Sequence, residues 1–131
     1  EDMEGNTVSF DEFKEKTIFM NLWATWCPPC IAEMPDINNL HNDINSKNIA
    51  FVMISLDDDF EKAKAYIKKK GFSFPVYKLK SSLPAIYSSN SIPTTYVISP
   101  EGKIVMSKRG MAKYNTTKFK EFLNELSGPQ P

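Results

Sequence analysis

The 131-residue chain, 41% apolar and 24% charged, has the balance of an ordinary globular protein and a length suited to one domain over residues 1–131, with flexible ends at 1–6 and 128–131. Sixteen basic residues cancel sixteen acidic ones, which removes the electrostatic footprint of a nucleic-acid or anionic-membrane binder. No apolar run approaches the ~20 residues of a membrane helix, and a chain that opens on Glu1 without a signal or anchor reads as a mature or excised segment.

In chain order, residues 1–6 are polar and should fray. Residues 7–10 suit a short edge strand, and Ser9 ahead of Asp11, Glu12 and Phe13 suits a capped helical turn. Residues 17–24 are almost continuously apolar apart from Asn21, the pattern of a strand covered on both faces. Ile31, Met34, Ile37, Leu40 and Ile44 then recur every three or four residues, which predicts a helix with one buried stripe. Pro35 inside it should kink it, and His41 reads as a surface or boundary residue. Residues 50–54 form a second buried strand. Asp57, Asp58 and Asp59 after it read as caps for a helix beginning near Phe60, rather than as a cation site. That helix buries Phe60, Ala63 and Ile67 and ends in three lysines and Gly71, a normal C-terminus. A short strand at 74–77 and a short helix at 81–87 precede a hairpin, whose strands are 92–98 and 104–108 and whose turn contains Pro100 and Gly102. Phe119, Phe122, Leu123 and Leu126 mark a last amphipathic helix capped by Asn115 or Thr116.

The chemistry concentrates at Trp26-Cys27-Pro28-Pro29-Cys30, where the first long strand turns into the first long helix. Two cysteines three positions apart at a helix start face the same way, and the macrodipole there favours a thiolate. They are the chain's only cysteines, so with one histidine beside them a structural zinc site lacks ligands. A purely structural disulfide of this span would remove little unfolded-state entropy. The pair therefore reads as a redox dithiol. Pro28 and Pro29 carry no N–H, which leaves Cys30 as the nearest backbone donor to the Cys27 sulfur and predicts only moderate thiolate stabilisation. A less stabilised thiolate means a less oxidising couple, which favours reduction over disulfide donation.

Four blocks in order carry a wider likeness: residues 21–30, then Glu33-Met34-Pro35, then Ile92-Pro93-Thr94-Thr95, then Pro100-Glu101-Gly102-Lys103. Over about residues 8–126 the chain resembles thioredoxin-fold proteins and, more narrowly, the TlpA/ResA-like thiol–disulfide oxidoreductases of bacterial envelopes. The resemblance implies an α/β fold with a central mixed sheet flanked by helices and a family-type insertion before the third helix. It also implies that Pro93 is cis and faces the dithiol, exposing the Ile92 backbone to an extended substrate; the alternative is a trans proline opening an edge strand. Glu33 has two readings: a first-turn acid complementing the helix dipole, or a proton acceptor for Cys30, which the family favours. Asn21 departs from thioredoxin itself, which carries a titratable aspartate there, and so shifts proton handling toward Glu33.

The implied reaction is thiol–disulfide exchange without metal or organic cofactor beyond the Cys27–Cys30 disulfide. Cys27, as the exposed thiolate, attacks, Cys30 resolves, and Trp26, Pro28, Pro29, Ile92 and Pro93 meet the substrate. The implied partners are a protein disulfide, such as that of an apocytochrome c or another envelope protein, and a membrane thiol reductant. The implied location is extracytoplasmic, in the periplasm or cell envelope. An oxidase or isomerase, or a copper-delivery module on the same fold, are the alternatives.

Overall fold

The computed structural model describes residues 1–81 and 91–128. Their order is a 3-10 turn (Phe10–Phe13), β1 (Thr17–Trp23), α1 (Pro28–Ile44), β2 (Ile49–Ser55), α2 (Phe60–Lys70), β3 (Val76–Lys78), β4 (Thr94–Ile98), β5 (Ile104–Arg109) and α3 (Thr117–Ser127). The strands form one mixed sheet in the order β3-β2-β1-β4-β5. β1 lies at its centre, parallel to β2 and antiparallel to β4, with all seven residues buried. That position explains its unbroken apolarity.

The pleat divides β1 between two cores. Phe19 and Trp23 pack with Met34, Ile37 and Leu40 of α1, Phe60, Ala63 and Ile67 of α2 and Leu123 of α3. Ile18, Met20 and Leu22 point the other way and join Val52, Ile54, Tyr96 and Ile98, with Phe13, Tyr77 and Leu79 packed on them. The units β1–α1–β2 and β4–β5–α3 make two halves. Between them lie α2 and β3.

Caps set the helix ends. Asp59 accepts the Glu61 N–H at 3.0 Å and starts α2, and Gly71 ends it at φ +70°. Thr116 caps α3 by accepting the Phe119 N–H at 3.1 Å.

Several expectations need correction. Residues 7–10 pair with no strand among the described residues; Ser9 instead caps the 3-10 turn in a reciprocal box with Glu12. Local side-chain hydrogen bonds there replace a sheet edge. In residues 1–6 the Asp2 carboxylate accepts the N–H groups of Glu4 and Asn6, and Glu1 exchanges backbone hydrogen bonds with Lys78. α1, by contrast, begins at the dithiol as expected, and it runs from Pro28 to Ile44 with Pro35 inside it. The short helix expected at 81–87 lies, apart from Ser81, outside the described residues.

Candidate active site

Cys27 is the N-cap of α1, and Pro28 and Pro29 fill its first two helical positions. That arrangement needs no N–H from either proline, so the sequence suits the start of a helix. The Cys30 N–H donates to the Cys27 sulfur at 3.4 Å, as expected from the missing proline donors. The two cysteines are joined in a disulfide with their Cα atoms 5.3 Å apart. Cys30 is wholly buried. Cys27, expected to be exposed, keeps only 5% of its surface. The Ile92 carbonyl oxygen approaches to 3.7 Å of its sulfur and covers one side. The Ile92–Pro93 bond is cis. Pro93 is buried, and its carbonyl accepts the Gly110 N–H at 2.8 Å. Around this recess Trp26 is 66% exposed, Pro28 and Pro29 are exposed, and Ile92 is half-buried. Met111, 58% exposed, follows the glycine that pairs with Pro93. Nothing in its local sequence marked it, because only the β4–β5 hairpin brings it to this end of the sheet.

Glu33 is not a first-turn acid. Because α1 starts at Pro28, its first turn holds no acidic residue, and Glu33 sits a turn deeper, 2% exposed. Its Oε1 accepts from Asn21 Nδ2 at 2.9 Å and its Oε2 accepts the Ala112 N–H at 3.2 Å. Burial pushes the Glu33 carboxyl above the ordinary range, the Asn21 and Ala112 donors pull against that, and Asp36 adds to the rise. Asn21 also donates to Thr95 Oγ1 at 2.8 Å, across the β1–β4 register that pairs the two residues. Asn21 thus serves as a double donor that holds the carboxylate, a role an aspartate cannot fill. One turn on, Asp36 Oδ2 accepts the N–H groups of Tyr114 and Asn115 at 2.6 and 3.2 Å. Two carboxylates of α1 therefore pin residues 112–115 across the helix. Burial pushes the Tyr114 phenol up to about 12, so it stays neutral at physiological pH.

Two of the three aspartates divide the work. Asp59 caps α2, but Asp57 turns back toward the dithiol loop. Its carboxylate accepts the Thr25 N–H at 3.1 and 3.2 Å, the Thr25 hydroxyl at 2.5 Å and the Ser55 hydroxyl at 2.7 Å. Sequence reading missed this contact because β1 and β2 must first be paired to bring residues 25 and 57 together. His41 donates to or accepts from the Ser73 hydroxyl at 3.0 Å and stands edge-on to the Phe51 ring. It lies roughly 21 Å along α1 from Cys27 at about 1.5 Å per residue. Burial holds its pKa below the usual imidazole value. Among the described residues no three His, Cys, Asp or Glu side chains gather as metal ligands, and no helix is long and apolar enough to cross a membrane.

The fold recurs in known proteins. A ResA thiol–disulfide oxidoreductase of Oceanobacillus iheyensis is 30% identical over 131 residues, 99% of this chain and 67% of that one. The ResA of Bacillus thuringiensis subsp. konkukian is 28% identical, over 96% of this chain and 72% of its own. Among solved structures, StoA from Bacillus subtilis superposes with a TM-score of 0.75 at 25% identity, covering 96% of this chain and 92% of that one. A thiol:disulfide interchange protein from Chlorobium tepidum superposes at 0.80 and 27%, covering 95% and 89%. The Redoxin family model matches residues 1–126. With its paired cysteines at a helix start and these relatives, the chain belongs to the Redoxin family, as a ResA-like thiol–disulfide oxidoreductase.

Proposed function

We propose that the protein reduces disulfides of protein substrates outside the cytoplasm. The Cys27 thiolate attacks one sulfur of a substrate disulfide; that S–S bond breaks, a substrate thiolate leaves, and a mixed disulfide forms. Cys30 loses its proton to Glu33 and attacks the Cys27 sulfur, which releases the second substrate thiolate. Two electrons pass to the substrate, and the Cys27–Cys30 disulfide is the product. A membrane thiol reductant then restores the dithiol. The chemistry is carried by sulfur alone and calls on no metal or organic cofactor.

The observation that carries this reading is the cap of α1. Cys27, 5% exposed at the helix cap, has one backbone donor, the Cys30 N–H, where two prolines withhold the others. Such a thiolate is stabilised enough to attack and too little to make a strong oxidant. Burial of Glu33 supports its role, because a carboxyl held above its ordinary pKa binds a proton more readily near neutral pH. Trp26, Pro28, Pro29, Ile92 and Pro93 are the substrate's contact surface, with the Ile92 carbonyl beside the reacting sulfur available to an extended chain. The envelope location and a substrate such as an apocytochrome c rest on the sequence resemblance to the TlpA/ResA-like oxidoreductases of bacterial envelopes.

The test is the reduction potential of the pair, measured against defined thiol buffers by counting free thiols. A value near or below about −270 mV, that of thioredoxin, is expected. A value near about −120 mV would instead make the protein a disulfide donor.

A further inference from the structure

Between β1 and α1 the chain makes a tight turn in which the Cys27 N–H donates to the Ala24 carbonyl at 3.2 Å. Thr25 and Trp26 are its two central residues. Asp57 grips Thr25 by both its N–H and its hydroxyl. Asp57 is itself fixed, 7% exposed, by the Ser55 hydroxyl and by its own N–H, which donates to Ser55 Oγ at 3.1 Å. A further bond, Leu56 N–H to Trp23 carbonyl at 2.8 Å, closes the same corner. The turn that delivers Cys27 is thus anchored to the end of β2 through one buried carboxylate.

We propose that Asp57 is a positioning residue for Cys27, and that its grip on Thr25 matters more to the dithiol than to the disulfide. In the oxidised protein the bond to Cys30 already holds the Cys27 sulfur at the helix cap. Once that bond opens, the 24–27 turn and the Ile31 N–H, which donates to the Cys27 carbonyl at 3.1 Å, are left to keep the sulfur within reach of the Cys30 N–H. Charge-assisted bonds of this kind are worth more than neutral ones, and losing them frees the turn in the reduced state first. Removing the grip therefore disfavours the dithiol relative to the disulfide. The couple becomes more reducing, and the Cys27 thiolate, less often beside its donor, forms at higher pH.

The test compares wild type with Asp57→Ala, Thr25→Val and Thr25→Ser. Three quantities are read: the thiol-buffer equilibrium, the pH midpoint of Cys27 alkylation, and thermal unfolding of the oxidised and reduced forms. For Asp57→Ala the equilibrium should move threefold to tenfold toward the disulfide, up to about 30 mV at 29.6 mV per tenfold. The alkylation midpoint should rise, and the reduced form should lose more stability than the oxidised. Thr25→Val, which deletes one of the gripping groups, should shift all three in the same direction by less, and Thr25→Ser should restore wild-type values. Equal destabilisation of both forms with an unmoved equilibrium and midpoint overturns the proposal, leaving Asp57 a structural brace. If Asp57→Ala does not fold, Thr25→Val decides by the same criteria. Failure of the wild type to titrate as a two-electron couple would instead refute the redox reading of Cys27 and Cys30 on which the proposal rests.

Discussion

Replacing Asn21 by aspartate tests the arrangement around Glu33 directly. In the wild type Asn21 Nδ2 meets Glu33 Oε1 at 2.9 Å, deep under the sheet. Asn21→Asp sets a second carboxylate at that distance and removes the donor to Thr95. Two full charges so placed repel by about 6 kcal/mol even at an effective dielectric of ~20. The folded pair consequently keeps one proton far above the ordinary carboxylate range, while the unfolded chain sheds it near pH 4 to 5, roughly. A folded state that binds more protons loses stability as pH rises. Relative to wild type the variant should hold a steady penalty while the wild-type Glu33 carboxyl keeps its proton, and lose roughly 1.4 kcal/mol per pH unit once the pH passes that raised titration. Asn21→Ala provides the control, since it drops both donors without adding charge; its penalty of about 1–3 kcal/mol should rise with pH less steeply, through the lost donor to Glu33 alone. The assay is urea unfolding of the oxidised protein at pH 5, 6, 7 and 8. A penalty for Asn21→Asp that does not change across that range would refute the reasoning, because it would mean that the two side chains do not share a buried site.

Glu33→Gln cannot accept a proton from Cys30 and should slow release of the reduced substrate by roughly tenfold or more, so that the mixed disulfide accumulates in acid-quenched single turnovers. The raised carboxyl of Glu33 favours the folded state below its unfolded value and loses that contribution as pH rises through the folded one, so the variant's stability should vary less with pH than wild type's. Trp26→Ala, at an exposed position, should leave unfolding within about 0.5 kcal/mol of wild type. It should slow reduction of a protein disulfide while sparing a small aliphatic one, and equal rates on both substrates would remove Trp26 from the contact surface. Gly71→Ala places a side chain at φ +70° with open space around it, so only backbone strain acts. It should cost about 1 kcal/mol in urea unfolding, a loss that Gly71→Asn should partly recover.

Local chemistry was legible in the chain itself. The strand–dithiol–helix junction, the stripe of α1, the lysine and glycine end of α2 and the β4–β5 hairpin all follow from spacings of two to four residues and from turn chemistry, which act before any tertiary contact exists. The loss of proline donors at Cys27 was legible for the same reason, since it depends only on residues one and two positions away. Tertiary structure decided which polar residues serve the site. Glu33 meets Asn21 twelve positions away and Ala112 seventy-nine away. Asp57 reaches Thr25 thirty-two positions back, while its near neighbour Asp59 caps a helix. Composition cannot tell those two aspartates apart, because their roles depend on where β2 ends and which strand lies beside it. That choice is made by the register of β1 against β2 and β4, fixed by burying both faces of the central strand at once, since a slip of one residue would exchange its two cores.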